Sequence, residues 1–146
     1  MKQVHFDDEW HGQILSRNLD ENRPFMKGYD RSISITRDGK LLGGILYDNY
    51  RVRSIQMHMV VLQPDWGFRD VLQVIFDYPF NQLGVERIFA MVPSTSAEIL
   101  RFDRALGFKD HTRIEGAIPG GDLVVLSMDR DHCRWLKLKP RFERVH

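Results

Sequence analysis

The sequence predicts an α+β domain with a mixed, mostly antiparallel sheet. Residues 31–37 alternate between apolar and polar side chains, which is typical of a strand with one buried face. Asp38 and Gly39 then form the strongest two-residue signal for a hairpin. The returning strand covers 40–50 and a third strand covers 54–62. Three strands in succession with short connections indicate an antiparallel meander.

A change of hydrophobic period predicts the helices and the parallel part of the sheet. Over 66–80 the apolar residues recur every three or four positions, which indicates an amphipathic helix. A short apolar strand over 87–92 follows, and then a helix over 96–106 that ends at Gly107. A strand, a helix and a second strand need a crossover connection. The strands 54–62 and 87–92 are therefore expected to be parallel.

The helix over 96–106 has a start signal of its own. Thr95 and Glu98 match a capping box, in which the two side chains satisfy backbone N–H groups of the first turn. Three of its residues are expected to face the core: Ile99, Phe102 and Leu106.

The two ends of the chain complete the predicted order of elements. Helical spacing over 7–19 predicts a first helix, with Asp7 and Asp8 suited to its start. The strands 108–118 and 122–128 are expected to form a final hairpin.

Composition points to one soluble domain. The chain has 146 residues, of which 42% are hydrophobic and 28% charged, and no stretch approaches the roughly 20 apolar residues of a membrane span. The N-terminus lacks the apolar segment of a signal peptide and Cys133 is the single cysteine, so we expect a cytoplasmic protein, or one of the host cytoplasm if a phage encodes it.

The charge is distributed unevenly. The net charge is +1, but 130–146 holds six Lys/Arg and two Asp/Glu. We therefore divide the chain into a domain over 1–136 and a basic C-terminal tail over 137–146. Two interpretations of the tail stay open: a solvated end, or a patch that meets a phosphate-bearing partner.

Several motifs resemble the GNAT (GCN5-related N-acetyltransferase) superfamily of acyltransferases. The L-G-F at 106–108 matches the end of the family's N-x-x-A … Y-x-x-L-G-F helix motif, here within 96–108. The segments 78–108 and 132–136 are similar to small bacteriophage-type acetyltransferases. The resemblance covers roughly 32–134.

The resemblance implies that acetyl-CoA, a co-substrate, binds in a cleft between the strands 54–62 and 87–92. The pantetheine arm is expected to pair with the backbone of Val60, Val61 and Leu62. The pyrophosphate is expected on the loop that follows: Trp66, Gly67, Phe68, Arg69 and Asp70.

The sequence departs from the family pattern at three places. Gly67 is the single glycine of a loop that is usually glycine-rich. Ser96 replaces the Asn that steadies the pantetheine arm, and Asp103 stands where a Tyr often protonates the departing thiolate. An ionised Asp is a poor proton donor, so the role is either absent, performed by water, or taken by another group, for which Ser94 and Ser96 are the nearest candidates.

Amine acylation requires a base, and a histidine has a pKa near the operating pH. His58 is the candidate, although a core histidine that bonds to backbone is the alternative, and Glu115 is a second candidate base. Asp48, Asn49 and Gln56 are candidates for binding the acceptor, with ordinary turn residues as the alternative for the first two. No metal is expected, because His5 and His11 lie only loosely near Asp7 and Asp8.

The sequence therefore predicts an N-acetyltransferase that transfers acetyl from acetyl-CoA to a primary amine by direct attack. Two alternatives stay open. The glycine-poor loop and Asp103 are compatible with an inactive binding or inhibitor protein of the same shape. The basic tail is compatible with a nucleic-acid-modifying enzyme. A small-molecule cofactor, an acceptor of unknown class and a second copy of the chain are the expected partners, and no membrane is.

Overall fold

The computed structural model describes residues 1–19, 23–64, 67–139 and 143–145. Within these residues the chain forms eight strands: β1 (Gln3–Phe6), β2 (Arg31–Arg37), β3 (Lys40–Asp48), β4 (Ser54–Val61), β5 (Arg87–Pro93), β6 (Lys109–Ile118), β7 (Gly121–Asp129) and β8 (Glu143–Val145). It also forms three α-helices: α1 (Glu9–Arg17), α2 (Leu72–Asp77) and α3 (Ala97–Leu106).

The strands form one sheet in the order β6-β7-β5-β4-β3-β2-β1-β8. All neighbours are antiparallel except the central pair β4–β5 and the edge pair β1–β8. The predicted fold class, an α+β domain with a central parallel pair, is confirmed. No helix in the described part of the chain is long and apolar enough to cross a membrane.

The first and last strands were not predicted. They contain four and three residues, which is too short for a periodic pattern to stand out. The two strands pair in parallel at the edge of the sheet, with Gln3 opposite Glu143. Part of the segment 137–146, which the sequence suggests is a tail, therefore belongs to the sheet.

The single helix predicted over 66–80 is in fact three short segments. A 3₁₀ turn (Phe68–Val71) leads into α2, and a π turn (Tyr78–Gln82) follows it. Pro79 lies inside the π turn and does not end the helix. Proline cannot donate to the carbonyl four residues earlier, that of Ile75, and the buried Tyr47 hydroxyl donates to this oxygen at 2.6 Å instead.

Helix α3 is rotated relative to the prediction. Leu100, Asp103 and Leu106 are buried, whereas Ile99 is 51% exposed. The hydrophobic pattern predicted the wrong buried face, because that face includes the carboxyl group of Asp103. The N-cap of the helix is Ser96 and makes no side-chain hydrogen bond, so the capping box expected at Thr95 is not formed.

Gly44 allows α1 to lie close to the sheet. A Cβ atom at this position would be 2.3 Å from the Ile33 carbonyl oxygen of β2 and 2.8 Å from the Leu15 Cδ1 atom of α1. Leu15 belongs to a small apolar cluster under α1 that also contains Phe25 and Val60. The helix packing and the β2–β3 register therefore both require a glycine here.

We predict that Gly44→Ala destabilises the fold by about 3 kcal/mol, the upper end of the usual range for an overpacked core, because the clash involves backbone. Urea unfolding measures this loss. Gly116→Ala is the control: its Cβ meets open space and only the positive φ of 65° is unfavourable, which costs about 1–2 kcal/mol. Equal stability of Gly44→Ala and the wild type would show this packing argument to be wrong.

Candidate active site

The parallel strands β4 and β5 part after three residue pairs. Ser54, Ile55 and Gln56 pair with Arg87, Ile88 and Phe89, and the ladder ends there. β4 nevertheless continues to Val61 and β5 to Pro93. The backbone groups that face each other beyond Gln56 have no partner in this ladder, so the two strands leave an opening between them.

A cleft of about 860 Å³ occupies this opening. β4 forms one wall, and β5 with α3 forms the other. Most of the described lining is apolar and none of it is Lys or Arg. The polar lining residues are few: Gln56, His58, Thr95, Ser96, Glu98 and Asp103. A largely apolar cleft with a few converging polar groups is the usual form of a small-molecule site.

His58 lies on the β4 wall and is held by a carboxylate. Its Nε2 atom is 3.0 Å from both Oδ1 and Oδ2 of Asp48 on the neighbouring strand. The antiparallel register pairs Asp48 with Gln56, so Asp48 and His58 are diagonal neighbours on one face. When Nε2 donates to Asp48, Nδ1 carries the lone pair, and it has no partner among the described residues. In that tautomer the Nδ1 lone pair of His58 is available to accept a hydrogen bond or a proton.

Asp48 also binds Arg23. The Arg23 guanidinium reaches Asp48 Oδ2 at 2.5 Å and the buried Asp30 at 2.7 and 3.2 Å. Burial opposes ionisation of Asp48, but hydrogen bonds and positive charge from His58 and Arg23 outweigh it and hold the pKa of this carboxyl below its usual value. Both Asp48 oxygens thus have partners, and the side chain lies behind His58.

The other candidates for acceptor binding lie close by. Asn49, with a positive φ of 52°, donates to the Oε1 atom of Gln56 at 2.8 Å. Gln56 itself lines the cleft. Glu115, the second candidate base, is exposed on β6 and is not among the described lining residues. The structure therefore brings His58 and Gln56 to the cleft, with Asp48 and Asn49 behind them.

Asp103 is a buried carboxyl on the opposite wall. Its relative exposure is 6%, it lines the cleft, and its side chain has no hydrogen-bond partner among the described residues. Burial raises its pKa from 3.8 to about 6. From the sequence alone, Asp103 is expected to be ionised and therefore a poor proton donor. The raised pKa leaves a minority of these carboxyls, about one tenth, protonated at pH 7.

The residues predicted to bind the cofactor are spread over the cleft and the loop beyond it. Val61 and Ser96 line the cleft. Val60 packs under α1, and the Leu62 amide donates to Leu42 of β3. Trp66 and the side chain of Phe68 lie outside the described residues.

The rest of the predicted phosphate loop contacts the N-terminus. The buried Lys2 ammonium donates to the Gly67 carbonyl and, at 2.7 Å, to Asp70 Oδ1. Gly67 has a positive φ of 48°, and Arg69 is exposed. None of these three loop residues is among the described lining of the cleft. Lys2 was not predicted, because a single lysine near a chain end gives no signal in the sequence.

The comparisons with known proteins show the fold. The sequence matches no protein-family model and no curated protein. A mutant of the spermidine N-acetyltransferase SpeG from Vibrio cholerae matches with a TM-score of 0.71 and 15% identity, over 93% of this chain and 96% of that chain. This chain has the GNAT fold. The N-acetyltransferase PseH from Campylobacter jejuni, in complex with acetyl coenzyme A, matches with a TM-score of 0.56 and 18% identity, over 70% of each chain.

The resemblance to the GNAT superfamily is thus confirmed at the level of the fold. Sequence identities of 15% and 18% support a shared fold but not a shared activity. The closer resemblance to bacteriophage-type enzymes stays a prediction.

We predict that Asp103→Asn stabilises the protein above neutral pH. Since folding raises the pKa of Asp103, its ionisation opposes folding, and the wild type loses stability as pH rises from about 4 to about 6–7. The variant avoids this loss, worth about 2–3 kcal/mol at pH 8. Urea unfolding at a series of pH values measures it.

Asp131→Asn, which removes an exposed carboxylate, is the matched control and should show no such pH-dependent gain. A constant difference between wild type and Asp103→Asn at all pH values would contradict the assignment.

Proposed function

We propose that this protein is an N-acetyltransferase that moves the acetyl group of acetyl-CoA to a primary amine. The observation that carries the proposal is the opening between β4 and β5, with a carboxylate-held histidine on one wall and a buried, unpartnered carboxyl on the other. Two neighbours with the same fold, a spermidine N-acetyltransferase and PseH bound to acetyl coenzyme A, support the reaction class.

The cleft fits the proposed co-substrate in shape and chemistry. Its volume of about 860 Å³ lies within the usual range for small-molecule sites, about 300–1,000 Å³. The backbone edges that face each other beyond Gln56 offer hydrogen-bonding groups to an amide-containing chain. A pantetheine arm along Val60–Leu62, with Ser96 at the opposite wall, therefore suits this opening. Acetyl-CoA supplies the activated acyl group as a thioester.

His58 is the proposed base. A primary amine is protonated at neutral pH and must lose a proton before its nitrogen can attack a carbonyl carbon. The unpartnered Nδ1 atom of His58 accepts that proton, and Asp48 stabilises the resulting imidazolium. Arg23 keeps Asp48 ionised and in place. Asp48 and Arg23 are thus positioning residues that act through His58.

Asp103 is the proposed acid. As the new C–N bond forms and the C–S bond breaks, the sulfur leaves with the electron pair and needs a proton. Protonated Asp103 gives its proton to this sulfur, and the resulting carboxylate recovers one from solvent or from the acylated nitrogen. Ser96, the donor suggested by the sequence, lines the same wall and is suited to orienting the arm.

The proposed acceptor is a cationic primary amine. Apart from the proton donor Asp103, Glu98 is the carboxyl group of the described lining, and no Lys or Arg balances its charge there. Such a field attracts ammonium groups and disfavours anionic acceptors. The phosphates of the co-substrate are expected to lie outside this acidic region, on the amide groups of Gly67–Asp70.

The first test combines acetyl-CoA binding by calorimetry with thiol release in the presence of a panel of primary amines. We expect binding and amine-dependent release of coenzyme A. His58→Gln should lower kcat by about 10²–10⁴-fold, the usual contribution of an acid or base, while acetyl-CoA affinity is unchanged.

His111→Gln is the matched control, because His111 is exposed on β6 and absent from the described lining of the cleft. A protein that binds no acetyl-CoA would be an inert scaffold and would refute the proposed function. Binding with unchanged turnover in His58→Gln would refute only the assignment of the base.

The second test isolates Asp103 by its pH dependence. The acid must be protonated to act, so its contribution falls about tenfold per pH unit above its pKa of about 6. The ratio of kcat/KM between wild type and Asp103→Asn is expected to fall with this slope between pH 6.5 and 8. Since the amine titrates equally in both proteins, the ratio cancels its contribution. A ratio independent of pH would exclude Asp103 as the proton donor.

A further inference from the structure

Three potential metal ligands come together away from the cleft. His5 of β1, Asp8 before α1 and His11 in the first turns of α1 each offer one donor atom within 4.8 Å of the others. The two imidazole rings meet edge to face, with centroids 4.9 Å apart. Nothing in the proposed acetyl transfer uses these side chains. The spacing of these residues in the sequence did not predict a metal site.

The fold positions each of the three by a separate interaction. β1 pairs with β2 so that His5 lies opposite Ser34. Asp8 is the N-cap of α1, and its Oδ1 atom accepts the His11 amide at 2.9 Å. This cap places the Nδ1 atom of His11 3.7 Å from Asp8 Oδ1 and the ring on the side of the helix that faces β2. The cluster is therefore anchored by backbone structure.

Buried hydroxyl groups orient the two imidazoles. His5 Nε2 is 2.8 Å from Thr36 Oγ1, and His11 Nδ1 is 2.8 Å from Ser34 Oγ. The second nitrogen of each ring has no hydrogen-bond partner among the described residues. Histidine ligands of metal ions commonly have one nitrogen on the metal and the other bonded to a polar group that fixes the ring. Ser34 and Thr36 are suited to that supporting role.

We propose that His5, Asp8 and His11 form a binding site for a divalent transition-metal ion of the Zn²⁺ type. Two imidazoles and one carboxylate prefer Zn²⁺, Co²⁺, Ni²⁺ or Cu²⁺ to Mg²⁺ or Ca²⁺. Bonds of about 2.0–2.2 Å to one ion draw the donors closer than 4.8 Å, a movement of about 1 Å that side-chain rotation supplies. Three protein ligands leave a fourth position for water.

The bound ion joins the first turn of α1 to β1 and stabilises that end of the sheet. The proposal does not depend on acetyl transfer, since the cluster lies outside the described lining of the cleft. Measurements of metal binding therefore test this proposal independently of the proposed acetyl transfer.

Calorimetry with ZnCl₂ on the full-length protein, with any affinity tag removed, is the direct test. We expect one ion per chain, no comparable binding of MgCl₂, and loss of the one-to-one binding in both His5→Gln and His11→Gln. Asp8→Asn, which keeps a good N-cap residue, should weaken binding while leaving the helix content unchanged. Ser34→Ala should weaken Zn²⁺ binding by about 10–100-fold, as expected for a supporting hydroxyl.

His111→Gln is again the matched control and should bind Zn²⁺ like the wild type. Absorption of Co²⁺ added to the wild type provides a readout that does not depend on the folding of any variant: visible bands of a nitrogen-bound, low-coordinate ion are expected. Absence of both Zn²⁺ binding and Co²⁺ bands would overturn the proposal. Zn²⁺ binding that persists in both histidine variants would place the ion elsewhere and would overturn it too.

Discussion

The parting of β4 and β5 is the constraint on which the rest of the site depends. Each of the two strands is held by its outer neighbour along most of its length. β4 pairs with β3 from Gln56 to Val61, and β5 pairs with β7 from Arg87 to Pro93. The sheet therefore keeps its continuity on both sides while the inner edges separate. Beyond Gln56 the facing backbone groups of β4 and β5 have no partner in the ladder between these two strands.

The two buried aspartates of the site have opposite environments. Asp48 has Arg23 and His58 as partners, which lower its pKa, whereas Asp103 is buried with no hydrogen-bond partner among the described residues, which raises its pKa to about 6. Pairs of titratable groups whose environments move their pKa values apart are typical of acid–base sites. An unpartnered buried carboxyl also costs stability. Its presence on the cleft wall is more readily understood as a functional requirement than as packing.

The sequence predicted the fold better than the site. The sequence placed β2 to β7 within one or two residues of their observed bounds, because turn signals mark where these strands end. It missed β1 and β8, which are too short, and the rotation of α3, because Asp103 occupies a buried position that apolar patterns assign to Ile99 or Phe102. The sequence also did not predict the chain of contacts from His58 through Asp48 to Arg23. Asp48 and Arg23 are 25 positions apart, and no local pattern indicates that they meet.

The charges of the described residues favour different parts of the proposed substrates in two regions of the site. The cleft wall carries the carboxylate of Glu98 and no Lys or Arg among its described residues, which suits a cationic acceptor and disfavours phosphate. Beyond Val61 the balance reverses, because the Lys2 ammonium neutralises Asp70 and leaves the charge of Arg69 without a nearby counter-charge in the described loop. An anionic group is therefore favoured on the loop and disfavoured in the cleft.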